Sequence, residues 1–327
     1  MKEPVLPCVR AGHLPQRFTA ARAGLSPGPE DNPMHIDRQS GLPHALGAYF
    51  IWAMLPLYLR LVKTVSPFEF VGWRVVCTLP FCLILVFAGR RAAALRKALT
   101  EPRTLMTLTA SALLIGSNWL IYIWAIQKGH VLASSLGYYI NPLANVLAGT
   151  LFLGETLSRK QWLAVALAAV GVSILAFGAL DMLWISLSLA ATFCGYGLVR
   201  KLAPVEALPG LAVETLLLFL PAAIFLDVYT RTTSSSVLDQ DWVTILLVMI
   251  SGVITATPLI LFAVAARRMD YSSLGFVQFM SPTLVFLFGV FIFHEPLRPI
   301  QLASFGFIWL AIGVFVYDLY ARRTVRA

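Results

Sequence analysis

Two fifteen-residue stretches decide the fold: residues 141–155, NPLANVLAGTLFLGE, and residues 281–295, SPTLVFLFGVFIFHE. In each stretch a proline follows a small polar residue, an apolar run comes next, and a glutamate ends the stretch at the same distance from the proline. Pro142 thus corresponds to Pro282, and Glu155 to Glu295. A pattern that recurs at a fixed offset indicates an internal repeat, and this one predicts two copies of a single structural unit.

Further matches extend the repeat upstream. The tetrapeptide SSLG at residues 134–137 recurs at residues 272–275, with nearly the same offset. Arg60 recurs as Arg200, with the same offset as the two prolines. The matches keep the same order along the chain, so we predict a repeat of about 140 residues.

The composition requires an apolar environment. Hydrophobic residues make up 58% of the 327 residues, charged residues make up 13%, and the mean hydropathy is +0.78. Soluble domains carry about 25% charged residues, and a bilayer-spanning helix needs about 20 apolar residues. We therefore predict an all-α integral membrane protein with ten transmembrane helices, near residues 42–62, 68–88, 104–127, 131–153, 159–178, 182–201, 209–228, 242–266, 271–293 and 298–321.

The charges between these spans predict the orientation. If the N-terminus is cytoplasmic, 15 Lys and Arg residues flank the spans on the cytoplasmic side and 5 on the outside. The cytoplasmic set includes the pairs Arg90-Arg91, Arg200-Lys201 and Arg267-Arg268. Positive charge favours the cytoplasmic side, so both termini are predicted to be cytoplasmic. The same clusters account for the net charge of +9, and no nucleic-acid partner is expected.

Five spans fall in each copy of the repeat. An odd number reverses the second copy, so the halves are predicted to be inverted about an axis in the membrane plane. Secondary transporters with this architecture bind substrate near the midplane between the repeats. The predicted domains are a first repeat at 42–178, a second at 182–321 and a basic cytoplasmic tail at 322–327. Residues 1–39 have no long apolar run and form an N-terminal extension. We expect the residues before Met34 to be disordered or to belong to a mis-annotated start of the sequence.

Four segments resemble the EamA-type permeases of the drug/metabolite transporter superfamily: AYFIW at 48–52, GSNWLIYIWA at 116–125, ASSLGYYINPL at 133–143 and YGLVRK at 196–201. The resemblance covers roughly residues 42–321. It implies two EamA repeats of ten helices in all, the bacterial inner membrane, and transport of small metabolites or drugs. The implied partners are a small-molecule substrate and the lipid bilayer, with a homodimer and proton coupling left open. The sequence departs from the pattern at His294, where a glycine is expected.

Arg74 and Glu214 are the outstanding candidates for function. Each lies about two turns inside a span, and the offset of the repeat places them at equivalent positions in the two copies. A charge in hydrocarbon costs about 2.5–3.5 kcal/mol on insertion scales, so both should face the protein interior or a wet cavity. One interpretation is a pathway with an anion-attracting Arg74 and a Glu214 that couples to protons. The other is a structural polar network that holds the repeats together.

Aromatic and amide side chains form a second group of candidates. A cavity for small amphipathic solutes needs such a lining, although Asn also joins membrane helices and aromatics also mark interfaces. Asn141 and Asn145 are spaced to share one helix face, as are Asn118 and Tyr122. The substrate-pathway candidates in this group are Trp52, Asn118, Trp119, Tyr122, Tyr138, Asn141, Asn145, Phe276, Gln278 and Ser281.

Prolines and glutamates mark the ends and bends of the spans. Pro142 and Pro282 occupy equivalent positions and are the predicted hinges, because each removes a backbone donor from its helix. Glu155 and Glu295 are interpreted as structural residues at opposite membrane surfaces that cap the next helix.

Other classes of protein find little support. The chain has no GxxxxGK[ST] for ATP, no DDxxD or HExxH, and no cysteine pair with metal-ligand spacing. No catalytic residue, metal or cofactor is therefore predicted, and the chain is not expected to be an enzyme. A channel needs rings of carbonyls or charges, which a single Arg and Glu do not supply. A channel or a non-transport membrane protein of the same architecture remains the alternative to a secondary transporter, whose direction is interpreted as export.

Overall fold

A computed structural model describes residues 41–233, 236–294 and 298–324. These residues form helices joined by short connections, with no β-strand among them. The all-α membrane fold predicted from hydropathy is thus confirmed. The N-terminal extension, Glu295 and the last three residues of the tail lie outside the described part of the chain.

The described residues contain twelve α-helices and two short 3₁₀-helices, at Phe177–Met182 and Val237–Asp239. The α-helices are α1 (Leu42–Leu61), α2 (Pro67–Ala88), α3 (Ala92–Thr100), α4 (Pro102–Gln127), α5 (Val131–Phe152), α6 (Arg159–Ala176), α7 (Leu183–Leu202), α8 (Ala207–Thr232), α9 (Trp242–Arg268), α10 (Tyr271–Gln278), α11 (Met280–Phe291) and α12 (Pro299–Thr324).

Nine helical segments in the described ranges are long and apolar enough to cross a membrane, with α10 and α11 counted as one. The remaining predicted span is α5, which has membrane length at 22 residues but is more polar than the others. Asn141 and Asn145 lower its hydropathy, and both are buried inside the protein. Ten membrane crossings therefore stay a prediction that depends on α5.

Two features differ from the predicted spans. The ninth span is interrupted at Phe279, between α10 and α11, just before Pro282. Proline lacks the amide hydrogen that would continue the helical hydrogen bonds, which explains a break just upstream of it. The amphipathic α3 was not predicted, because at nine residues it is too short to span a bilayer.

The helix ends gather at two opposite ends of the bundle. At one, Gly41 approaches Arg268 and Met269, and Lys201 donates to the backbone oxygens of Ala266 and Met269, at 2.9 and 2.7 Å. We call this the closed end; it contains the connections 89–91, 153–158, 203–206 and 269–270.

At the other end, the hydroxyl of Tyr58 donates to the Leu247 oxygen at 2.7 Å. Thr64 donates to Gln240 at 2.8 Å. We call this the cavity end; it contains the connections 62–66 and 236–241. The start of α1 therefore lies beside the end of α9, and the end of α1 beside the start of α9.

The two halves of the chain pack reciprocally. Helix α1 contacts α9, and α4 contacts α7; likewise α5 contacts α7, and α1 contacts α10 and α11. Equivalent helices also pair directly, as α2 with α8, α5 with α10, and α6 with α12. Such exchange of partners is what a two-fold axis between five-helix halves produces.

Close backbone approach lets these cross-half pairs form. A methyl group added at Gly275 on α10 would stand 2.6 Å from the backbone oxygen of Pro142 on α5. One added at Gly252 on α9 would collide with the backbone of Cys77 on α2. Small residues at such crossings give membrane helices the van der Waals contact that holds them together.

Candidate functional site

A cavity of about 510 Å³ lies between the two halves of the bundle. Its lining comes from the later parts of α1 and α4, the early parts of α2 and α5, and from α7, α9, α10 and α11. All these segments belong to the middle or to the cavity end. The lining reaches the exposed Lys63, so the cavity is one-sided.

Arg74 projects into this cavity from the first half of α2. Its guanidinium carbon lies 4.7 Å from the ring centre of Trp119, on the facing α4. The Nε atom of Arg74 is buried without a hydrogen-bond partner. A cation over an indole face gains some electrostatic stabilisation, but less than a carboxylate would give. Arg74 thus keeps unused capacity to bind a negative charge.

The other charged residue of the described lining is Lys63, at the cavity end. No Asp or Glu belongs to the lining in the described parts of the chain. Beyond the rim, Arg60 lies over the ring of Phe293 at 4.0 Å. The electrostatic character of the cavity is therefore positive.

Aromatic rings supply much of the remaining wall. Trp52 packs against Tyr49 and Phe193, with ring centres 5.6 and 5.7 Å apart. Tyr122 meets Tyr138 edge to face at 5.9 Å. These rings give a flat apolar ligand surfaces on which to stack.

The polar candidates in the lining differ in how far they are already engaged. Asn118 donates to the Leu189 oxygen and to the Thr192 hydroxyl, both at 2.9 Å, so its amide nitrogen is committed to α7. Gln278 accepts a hydrogen bond from Asn145 at 2.7 Å, which leaves its own amide nitrogen for other partners. Ser281 and Pro282 line the wall where α11 begins.

Some predicted pathway residues lie outside the cavity lining. Asn141 and Asn145 do share a face of α5, but both are buried, and Asn145 is joined to Gln278 of α10. Pro142 is buried beside Gly275, and α5 continues through it without a break. Phe276 stacks on Phe315 of α12, with ring centres 3.9 Å apart. Asn145, Pro142 and Phe276 thus lie in contacts between helices, and Asn141 is buried outside the lining.

Glu214 is also outside the cavity lining, and its partner is Arg200 of the same half. The Arg200 guanidinium lies 3.5 Å from the Glu214 carboxylate, and both side chains are buried. Arg200 also donates to the Ala207 oxygen at 2.8 Å. The prediction that Arg200 is a loop charge at the membrane surface is wrong. Its long side chain folds into the bundle, where a carboxylate compensates its charge.

The ion pair is tightly enclosed. A methyl group on Gly210 would meet the Arg200 guanidinium, so glycine at this position lets the guanidinium lie close against α8. The hydroxyls of Ser111 and Tyr196 lie near the Glu214 carboxylate, although neither meets it with ordinary hydrogen-bond geometry.

A small void of about 10 Å³ separates Glu214 from the large cavity. Such a volume holds about one water molecule. Trp119, Ile115 and Leu259 line both the void and the cavity. A single layer of side chains therefore stands between the ion pair and the space in front of Arg74.

Opposite the cavity, hydrogen bonds and ion pairs fasten the closed end. The carboxylate of Glu155 accepts from the backbone amides of Tyr271 and Ser272 at 2.6 and 2.8 Å. The expectation that Glu155 caps the next helix is therefore wrong. Ser158 and Gln161 cap α6 with a reciprocal capping box, and Glu155 reaches α10 of the other half.

Charged side chains add to this fastening. Arg91 forms an ion pair with Glu206, and Arg267 donates to the Val205 oxygen. These contacts join the connection 203–206 to 89–91 and to the end of α9, and Glu155 joins the connection 153–158 to the start of α10.

Several lining residues were not predicted. Tyr49, Ser135, Phe193 and Thr255 all line the cavity. Tyr49 and Phe193 look like ordinary apolar core in the sequence. The sequence did contain a signal for Arg200. Its spacing from Glu214 equals the spacing of Arg60 from Arg74, so the repeat groups Arg200 with Glu214.

A helical membrane bundle with a one-sided internal cavity between two reciprocally packed halves defines a polytopic transporter. Residues 39–177 match the family model described as the EamA-like transporter family. The chain belongs to this family and is a RarD-type permease of the drug/metabolite transporter superfamily, a multi-pass membrane protein.

The curated relatives match almost from end to end. Protein RarD of Escherichia coli is 40% identical over 288 residues, covering 87% of this chain and 97% of that protein. An uncharacterized transporter of Pseudomonas aeruginosa is 42% identical over 275 residues, covering 84% and 92%. The Chloramphenicol-sensitive protein RarD of the same species is 33% identical, covering 87% and 96%.

A solved crystal structure shares the fold. It is 18% identical, with a TM-score of 0.65, and the match covers 84% of this chain and 96% of the other. At that identity the likeness concerns the fold alone.

Proposed function

We propose that this permease carries small organic metabolites or drugs across the bacterial inner membrane by alternating access, acting as an exporter. The observation that carries the proposal is the one-sided cavity: about 510 Å³ at one end of the bundle, with the other end fastened by Glu155 and the Arg91–Glu206 pair. A channel needs one continuous path, whereas a carrier is open to one side at a time.

The inverted halves, residues 42–178 and 182–321, give this carrier its two states. If two copies of one unit face opposite ways, exchanging their conformations moves the opening from one side to the other. The positive charge at the closed end supports a cytoplasmic location of that end and of both termini. The described conformation would then be open to the outside.

The substrate pathway in this proposal is formed by Arg74, Trp52, Asn118, Trp119, Tyr122, Tyr138, Gln278 and Ser281. Pro142 and Pro282 serve as hinges, and the break between α10 and α11 supports Pro282 more than the continuous α5 supports Pro142. Asn141 and Asn145 act at the contact of α5 with α10, which must change as the halves rock.

Glu214 is the proposed site of proton coupling. Both of its carboxylate oxygens are buried without a hydrogen bond of ordinary geometry. One layer of side chains separates it from the substrate space. A proton on Glu214 would weaken its pairing with Arg200, and a substrate that moves Trp119 would alter the same pair.

Release from proteoliposomes tests transport without knowledge of the substrate. Vesicles containing the protein are loaded with an isotope-labelled extract of bacterial metabolites, and the release of each compound is followed by mass spectrometry. We expect a few compounds to leave faster than from protein-free vesicles, and faster still when the unlabelled extract is added outside. Chloramphenicol is included because a relative bears its name.

The same assay separates the alternatives. Faster release when the compound is also present outside indicates a carrier, because a carrier reorients faster with substrate bound. A channel has no such reorientation step, so external compound does not accelerate release through it. Release of many unrelated solutes at equal rates would point to a channel. Release no faster than from protein-free vesicles, with the protein folded, would leave a non-transport membrane protein. A fluorescent reporter fused to each terminus in cells independently tests the cytoplasmic assignment.

A further inference from the structure

The two halves carry different charges at equivalent positions. Arg60 and Arg74 in the first half correspond to Arg200 and Glu214 in the second, each at the offset of the repeat. In the second half the two residues form a buried ion pair where the bundle is closed. In the first half both are cations, one in the open cavity and the other exposed beyond its rim.

This difference has a consequence for closing the cavity end. In an inverted-repeat carrier, closure moves the first half towards the arrangement that the second half now has. Arg60 would then approach Arg74 much as Arg200 approaches Glu214. Two guanidinium groups enclosed in a low dielectric repel strongly unless a negative charge lies between them.

From this comparison we propose that the substrate is a small organic anion with a planar aromatic part, and that its negative group fills at Arg74 the place that Glu214 fills in the other half. The proposal rests on the carrier function above. The first half has no carboxylate at the position equivalent to Glu214, and in this proposal the ligand supplies that negative charge.

The lining of the cavity fits such a ligand. Arg74 has an unpartnered buried Nε, and no Asp or Glu faces the cavity in the described parts of the chain. A cationic solute would meet Arg74 and Lys63 without a counter-charge. Trp52, Tyr122 and Tyr138 offer aromatic faces near the guanidinium, and a cavity of about 510 Å³ is the size of common small-molecule sites.

The anion also explains why binding would drive closure. A ligand shifts a conformational equilibrium only by the difference in its affinity for the two states. An anion held by Arg74 in the open state and by both Arg74 and Arg60 in the closed state has such a difference. Arg60 in this scheme acts on closure rather than on the first binding step.

A matched series of probes tests the charge requirement: phenylacetate, phenylacetamide and phenethylamine share one ring and similar length but are anionic, neutral and cationic. Binding to the purified full-length protein is measured by calorimetry and by thermal stabilisation. We expect phenylacetate to bind at least about tenfold more tightly than the other two, because a hydrogen bond between two charged groups is stronger than one between neutral groups.

Variants then locate the anion. Arg74→Gln should abolish the preference for phenylacetate, and Arg74→Glu should transfer it to phenethylamine. Arg60→Gln should weaken phenylacetate binding much less than Arg74→Gln does, but it should slow phenylacetate exchange across proteoliposomes. Arg231→Gln, at the same end but outside the lining and paired with Asp227, is the control and should behave as wild type.

Each other result overturns the assignment. Equal or tighter binding of the neutral or cationic probe, binding of none of the three, or an anion preference that survives Arg74→Gln would each be incompatible with it. If the protein still releases metabolites from vesicles in those cases, the carrier function stands and only the substrate class fails. If Arg74→Gln does not fold, the charge series on wild type and Arg60→Gln still decides.

Discussion

The guanidinium of Arg200 and the carboxylate of Glu214 lie 3.5 Å apart, and each residue is only 1% exposed. The pair joins the end of α7 to the early part of α8 inside the second half. Glu214 lines the small void behind Trp119, and Trp119 also lines the large cavity, so one layer of side chains lies between Glu214 and the cavity.

Removing one partner should be far worse than removing both. Glu214→Leu or Arg200→Leu alone leaves a buried charge without compensation, which costs about 3–5 kcal/mol. The double variant Arg200→Leu with Glu214→Leu should recover most of that stability. Thermal unfolding in detergent measures the three variants against wild type.

Transport distinguishes coupling from packing at this pair. If Glu214 couples protons, the stable double variant should lose its response to a pH gradient while it still exchanges substrate. A double variant that responds normally to the gradient would confine the pair to a structural role. Arg231→Leu with Asp227→Leu, an exposed ion pair near the end of α8 and outside the cavity lining, serves as the control.

Glu155 should stabilise the closed end by holding the start of α10 in place. Its carboxylate holds the first two amides of α10, so Glu155→Gln keeps the size but replaces one acceptor oxygen by a donor. We expect faster hydrogen exchange of the Tyr271–Gln278 segment, with the described conformation less populated. Mass spectrometry of peptides from this segment checks the effect.

Glu101→Gln is the matched control for Glu155→Gln. Glu101 also lies at the closed end, but in the described structure its carboxylate accepts its hydrogen bond from Thr104 of the adjacent α4, within the same half. Exchange in α10 should be unchanged in this variant. Equal exchange in wild type and Glu155→Gln would mean that other contacts keep the closed end together.

The contact of Glu155 with α10 is one of the features that the sequence could not predict. Apolar runs determine where helices lie, and nearly all predicted spans correspond to a helix of similar bounds. The constant offset of the repeat predicted equivalent positions such as Pro142 and Pro282. Neither the apolar runs nor the repeat offset shows how a helix is rotated about its own axis, because a helix in lipid is apolar on most faces.

That missing rotation explains the errors in the candidate site. Arg200 was counted with Lys201 as a surface charge, because hydropathy cannot show that one of two neighbouring cations turns inward. Asn145 was placed with Asn118 in the pathway, yet it bonds across to Gln278. Long-range partners depend on tertiary packing, which local sequence patterns do not encode.

Asn118 should contribute more to stability than to substrate binding. Its amide nitrogen donates to Leu189 and Thr192 of α7, so Asn118→Leu removes two contacts between α4 and α7. Polar contacts between membrane helices contribute about 1 kcal/mol. We expect a loss of about that size in unfolding free energy, with substrate affinity changed less than about threefold.

Leu120→Ala provides the comparison for Asn118. Leu120 lies two residues away and is 64% exposed on the outer surface of the bundle. Its truncation should change neither property appreciably. A large loss of substrate affinity in Asn118→Leu at normal stability would instead show that the Asn118 side chain contacts the substrate directly.

Trp119 should control access to the ion pair. Its side chain stacks on Arg74 on the cavity side and lines the void beside Glu214. Trp119→Ala removes that barrier and joins the void to the cavity, so water reaches Glu214 without substrate. In proteoliposomes with a pH gradient, we expect proton leakage in the absence of substrate and loss of substrate-coupled proton movement.

Trp119→Phe should preserve the seal, because a smaller ring still separates the two spaces and still faces Arg74. Its proton leakage should stay near the wild-type level, even though its contact with the guanidinium is weaker. The comparison isolates the barrier from the cation–π contact. If Trp119→Ala leaks no more than Trp119→Phe, then Glu214 is isolated from the cavity by Ile115 and Leu259, and substrate-coupled proton movement must use another route.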